Sequence, residues 1–285
     1  MKGEKSNMPQ SLPESEVEAI DGFIINNKYF IDKNPVEVPI GKKIFEIIEK
    51  RCLVFYYPIE DYGEDNDAFF FSNVPLRNGS SKNVISINTN VTEEKQVFAA
   101  AHELGHAEGV ADHIIPGIKD TDHVELIVNR FAADLLMPSG LFIQFFNDQL
   151  SRVKFKDKIN LGVLLQIIVN TMNHFSVPYK SVVIRLVETK MIPKEVGLFL
   201  VDGNDDINIK ELLGIVDNII SNGTYSNLQT VTKKRSAPNI ELLINEAEKI
   251  KDISETKLDR LCKEFGVIKR SKELLGNQIS ISDME

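Results

Sequence analysis

The sequence predicts an α+β fold in which a small sheet comes first and helices follow it. Three observations carry that prediction. Short β-branched and aromatic runs cluster between residues 52 and 88. Helix-period segments then succeed one another from residue 92 to 188 with no strand between them. Strands and helices are thus segregated along the chain, which argues against a parallel sheet wrapped by crossover helices.

The elements follow in order. Residues 1–18 (MKGEKSNMPQSLPESEVE) are polar and proline-punctuated and read as a flexible N-terminus. GKKIFEIIEKR (41–51) sets Ile44, Phe45, Ile47 and Ile48 on one helical stripe and runs into CLVFYY (52–57), a strand by composition. DAFFFSN (67–73) and NVISIN (83–88) read as two more strands, with Asn-Gly in PLRNGSSK marking a turn between them. Thr92 is placed to cap the next helix, Glu93 and Glu94 suit its positive end, and Gly109 offers its exit. A further helix spans about 123–137 and stops at Pro138, and others are predicted at 141–148, 161–173 and 179–188.

The texture changes beyond Pro193. EVGLFLVDGNDD reads as a short strand and turn, IKELLGIVDNIIS as a helix, and NGTYSNLQTVTKKRSAP as a long polar connection whose Lys233–Arg235 run is a solvated loop. Two helical stripes follow, the second capped at Ser254, and GNQISISDME reads as a disordered tail. A boundary near residue 190 therefore separates a domain over 19–190 from an α-rich accessory region over 191–285, suited to partner binding.

Bulk properties exclude several classes. A net charge of −9 over 285 residues disfavours direct nucleic-acid binding, which needs excess Lys and Arg against the phosphates. The first residues hold no apolar signal core, and the most apolar run, Leu161–Val169, is too short to span a bilayer, so a cytoplasmic, membrane-free protein is expected. Cys52 and Cys262 are far apart and outside any CxxC spacing, which excludes a disulfide framework and a cysteine zinc site.

Chemistry concentrates in FAAAHELGHAEGVADH (98–113), where His102-Glu103-Leu104-Gly105-His106 spells HExxH. Residues four apart on a helix lie about 40° apart around its axis, one turn above each other, so both imidazoles can reach one ion. Glu103 points beside that ion, as the general base of a zinc hydrolase does. With only five histidines in the chain, chance would produce the motif in roughly one per cent of such sequences.

A catalytic zinc (Zn2+) takes three protein ligands and leaves a position for water. Two residues compete for the third place. HELGHAEGVAD follows the metzincin pattern except that Asp112 replaces the last histidine. Glu125, 19 residues after His106, has the spacing of a thermolysin-type ligand on a following helix. Ala99–Ala101 and Ala132–Ala133 would let the two helices approach closely. Asn129, four residues after Glu125, is placed to hydrogen-bond the far nitrogen of a ligand histidine.

INTNVTEEKQVFAAAHELGH followed by ELIVNRFAADLLMP resembles the ImmA/IrrE family of metallopeptidases, and the likeness runs from about residue 41 to 190. Val128 stands where alanine is usual and Ile127 where an acid is frequent. The resemblance implies a zincin-like fold, with His102, His106 and Glu125 as zinc ligands and Glu103 as catalytic base, and it favours Glu125 over Asp112. It also implies a protein substrate, typically a DNA-binding repressor in a mobile element or stress-response system. No helix-turn-helix precedes the motif here, so such a partner is a separate chain.

In a zincin-like site an edge strand holds the substrate backbone by strand addition, a role open to VISIN or AFFF. His123, His174 and Tyr179 are candidates by residue type for stabilising the transition state. The leading expectation is a zinc endopeptidase. The alternative is a non-catalytic, metal-stabilised regulator that binds a repressor or antitoxin through the C-terminal helices.

Overall fold

A computed structural model describes residues 8–27, 39–59, 67–75, 79–153, 159–204, 207–225, 228–237, 240–249 and 254–267. The first residues of the expected flexible N-terminus and the expected disordered tail lie outside them. Helix α1 (Glu14–Asn26) opens inside the stretch expected to be loose, and buries Ile20, Phe23 and Ile24 along one stripe. A 3-10 turn (Gly41–Lys43) leads into α2 (Ile44–Arg51), whose Ile44, Ile47 and Ile48 are buried.

The strands are β1 (Leu53–Tyr57), β2 (Ala68–Pro75) and β3 (Ser81–Asn88), in the sheet order β1-β3-β2. β3 is the middle strand, parallel to β1 with Leu53 opposite Val84, and antiparallel to β2 with Ala68 opposite Ile87. VISIN is therefore central, and only AFFF, in β2, lies at an edge. The β2 register shifts between Phe71 and Val74, where Asn73 adopts a φ of 50° and its N–H donates to Asn83 Oδ1.

The chain enters α3 (Glu93–Ala107) directly after β3. Gly109, at φ 64°, lets it leave that helix and restart as the short α4 (Val110–Ile114). Asp120 caps α5 (Thr121–Leu136) by accepting the N–H groups of Asp122 and His123. Then come α6 (Ser139–Arg152), α7 (Leu161–Phe175) and α8 (Tyr179–Glu188).

EVGLFLV proves helical, as α9 (Lys194–Asp202), where the sequence suggests a strand. An apolar run of this length fits either period. Pro193 at the N-cap and the close seat of Gly197 against Val187 of α8 decide for the helix. α10 (Ile209–Asn222), α11 (Ile240–Lys249) and α12 (Glu255–Phe265) follow, and Ser254 caps α12 by accepting the N–H of Lys257.

The main hydrophobic core runs from Ile20 to Leu228 and crosses residue 190 through Ile192, Leu200, Leu212, Val216 and Ile220. Ile244, Leu258 and Cys262 of α11 and α12 form a separate small cluster. Among the described residues no single helix is long and apolar enough to cross a membrane.

Two features arise only from the tertiary fold. Arg185 of α8 is fully buried, pairs with the buried Asp134 of α5, and donates to Met137 O at 3.1 Å, Ser139 Oγ at 2.9 Å and Glu188 Oε2 at 3.2 Å. Arg130 closes the group by donating to Asp134 Oδ2 at 2.6 Å. These contacts pin the junction of α5 and α6 against α8. Residues 228–237, expected as a solvated connection, instead lie along the free side of β1. Tyr56 and Ser236 exchange backbone hydrogen bonds, Val231 forms a bridge with Thr92, Lys234 sits 4.5 Å from the centre of the Tyr56 ring and Arg235 lies 4.8 Å from that of Tyr57. Aromatic faces attract the cations, so the basic run has partners.

Candidate metal centre

α3 carries HExxH with its N-cap at Thr92, as its sequence anticipates, and buries Val97, Ala100, Ala101 and Leu104. α5 crosses close beside it. The approach is possible because position 105 is glycine: a Cβ there would sit 2.8 Å from Val128 Cγ1 and 3.0 Å from Phe131 Cδ1. One turn before Val128, the same face of α5 presents Glu125.

Three side chains meet between the helices. His102 Nε2 lies 3.1 Å from His106 Nε2 and 3.1 Å from Glu125 Oε2, while His106 Nε2 lies 3.3 Å from Glu125 Oε1. Ligands at 2.0–2.1 Å from a tetrahedral zinc stand about 3.3–3.4 Å apart, so this triangle has the size such an ion needs. Phe70 of β2 stacks on His106 with centroids 6.3 Å apart, which brings the edge strand over the metal helix.

Asn129, one turn after Glu125, stands 3.0 Å from His102 Nδ1 through its Oδ1. An amide oxygen only accepts, so Nδ1 carries the proton and the Nε2 lone pair is left facing the other donors. That lone pair opposite a carboxylate calls for a cation. In the metal-free chain a proton answers: burial pulls the His102 pKa down, but the hydrogen bond to Glu125, the Glu103 and Glu125 charges and Asn129 outweigh it, and His102 is held above the ordinary histidine range. The hydrogen bond from His102 correspondingly holds Glu125 below the usual carboxylate range. His106 is lowered by burial and by His102.

Glu103 is only 8% exposed. Burial pushes its pKa up to about 7, with the Glu125 charge adding to the rise and His102 opposing it. A carboxyl poised there exchanges a proton readily near neutral pH. The Glu125 side chain, by contrast, is 51% exposed, so the site is open on that side as a catalytic metal site requires.

The remaining candidates are engaged elsewhere. Asp112 is exposed in α4 and accepts the Gly117 N–H at 2.9 Å; among the described residues the group able to hold a metal is His102, His106 and Glu125. His123 pairs with Glu16 of α1 at 2.9 Å. His174 stacks on Phe145 at 4.1 Å, and burial lowers its pKa. The Tyr179 hydroxyl donates to Leu200 O at 3.0 Å, and burial raises its pKa. Tertiary contacts thus engage the polar groups of His123 and Tyr179 and the ring face of His174. Phe70 belongs to the AFFF run expected to hold substrate, and its contact with His106 is not legible in the sequence because it arises through the tertiary fold.

An α+β domain whose helix carries HExxH, with a glutamate delivered by the next long helix, has the layout of a metallopeptidase. Comparison with known families agrees: the peptidase M78 model, described as an IrrE N-terminal-like domain, matches residues 50–187. Residues 50–187 are thus similar to the ImmA/IrrE metallopeptidase family. It is also similar to uncharacterized immunity region protein 2 of Bacillus phage phi105, with 33% identity over 70 residues, 23% of this chain and 44% of that protein. The chain thus spans less than half the length of this curated relative.

Proposed function

We propose that the protein is a zinc endopeptidase that cuts a regulatory protein, foremost a DNA-binding repressor, and so relieves repression. The observation that carries the reading is the triangle of His102, His106 and Glu125, sized for zinc, with the buried Glu103 next to it on α3. The likeness to a phage immunity-region protein supports a regulatory setting.

His102, His106 and Glu125 would hold the ion, and Asn129 would fix the His102 tautomer. Bound zinc supplies Lewis acidity toward a scissile carbonyl and acidifies water. Glu103 takes the proton of the attacking water and passes it to the leaving amine. An extended substrate segment pairs with the outer edge of β2 and passes over His106 beside Phe70.

The test is co-expression with a candidate DNA-binding repressor, followed by mass spectrometry for new chain termini. The native chain yields fragments, and Glu103→Gln retains zinc but yields them at least 100-fold more slowly, the scale of a lost general base. Full cleavage by Glu103→Gln overturns the mechanism. Release of the regulator without any new terminus favours the non-catalytic regulator instead.

A further inference from the structure

The first turn of α3 is finished from far along the chain. A helix leaves its first N–H groups without intrahelical partners, and Thr92 supplies no side-chain cap to them. The Glu93 N–H donates instead to Thr230 O at 2.9 Å. Glu94, only 6% exposed, accepts the backbone N–H of Gln229 at 3.2 and 3.3 Å. Gln96 Nε2 donates to Val91 O at 2.8 Å and lies 3.4 Å from Thr232 Oγ1. Gln229 turns the chain with a φ of 60°, and its side chain reaches Asp217 of α10 at 2.5 Å. Further on, Lys233 N–H donates to Thr89 O at 2.8 Å and Thr89 Oγ1 to Lys234 O at 2.7 Å, fixing the loop between β3 and α3.

We propose that residues 228–237 are a positioning strap for the metal helix: they cap α3 from outside, hold it in the register that brings His102 and His106 to Glu125, and tie that register to α10. The proposal rests on the zinc reading of the site. Its physical basis is the buried Glu94 carboxylate and the uncapped turn. When the strap leaves, both lose their partners, and fraying spreads toward His102, which follows about two turns later. The strap thereby gives the region after residue 190 a route to the metal site that passes through neither the ligands nor the substrate edge.

The experiment follows zinc release from the full chain to a chromophoric chelator. One variant, Glu94→Gln with Gln96→Leu, weakens the strap. A second pairs Thr92→Cys with Val231→Cys, positions that face each other in an antiparallel bridge, in a background carrying Cys52→Ser and Cys262→Ser. The weakened variant is expected to lose zinc about tenfold faster, the lower end of the range for groups supporting metal ligands. Adding the oxidised crosslink is expected to restore the native rate, and reduction to remove the rescue. If the weakened variant fails to fold, the crosslinked chain alone decides, by slower release when oxidised than when reduced. Native zinc uptake with release unaffected by weakening or crosslinking overturns the strap alone. A native chain that takes up no zinc overturns the metal reading and the strap with it.

Discussion

At Asn129 a single contact sets the orientation of His102, the first of the proposed metal ligands. Its Oδ1 takes the His102 Nδ1 proton at 3.0 Å and leaves Nε2 for the cation. Asn129→Ala is expected to weaken zinc affinity about 10–100-fold, as loss of such supporting groups does. Asn129→Asp, which also accepts, should retain it. Competition against a chelator of known affinity measures both, and equal affinity of the alanine variant would show that packing alone orients His102. This part of the site is legible in the sequence because helical spacing is local: His102 and His106, like Glu125 and Asn129, share a face by being four residues apart. The engagements of His123, His174 and Tyr179 are not legible, because Glu16, Phe145 and Leu200 reach them only through the tertiary fold.

Among the elements, the approach of α3 to α5 decides whether Glu125, the proposed third ligand, meets the two histidines. Gly105→Ala puts a methyl group within 2.8 Å of Val128 Cγ1. Such overpacking is expected to cost about 1–3 kcal/mol. It should also move Glu125 out of reach, so that zinc content falls along with the midpoint of urea unfolding. Full zinc occupancy in this variant would mean that α5 tolerates displacement. The strands and the helices on either side of the motif are readable from period and composition, and β1, β2 and β3 fall where the aromatic and β-branched runs lie. α9 is not, since a short apolar run carries no period of its own and its packing on α8 decides the matter. Nor does composition tell which strand is central. The pairing of β3 with both neighbours does, and it leaves β2 at the edge beside His106.

Across the whole molecule, the buried pair of Arg185 and Asp134 joins the halves of the helical layer. Arg185→Met leaves the Asp134 carboxylate without its main counter-charge and is expected to destabilise the fold by about 3–5 kcal/mol. Changing Asp134→Leu and Arg130→Met at the same time should recover much of that loss, because apolar packing then replaces the acid and both of its arginine partners. Urea unfolding of the single and triple variants measures the difference; a triple variant no better than the single one would assign the loss to Met137 O and Ser139, which Arg185 also serves. The sequence hints at this centre only by one arginine within VVIRLV, since the acid lies on another helix.

The strap has a consequence for biosynthesis. Gln229, which serves the Glu94 carboxylate, is translated 135 residues after it. A nascent polypeptide therefore exposes HELGH well before the groups that finish its first turn have left the ribosome. Until then the motif exists without its outer support.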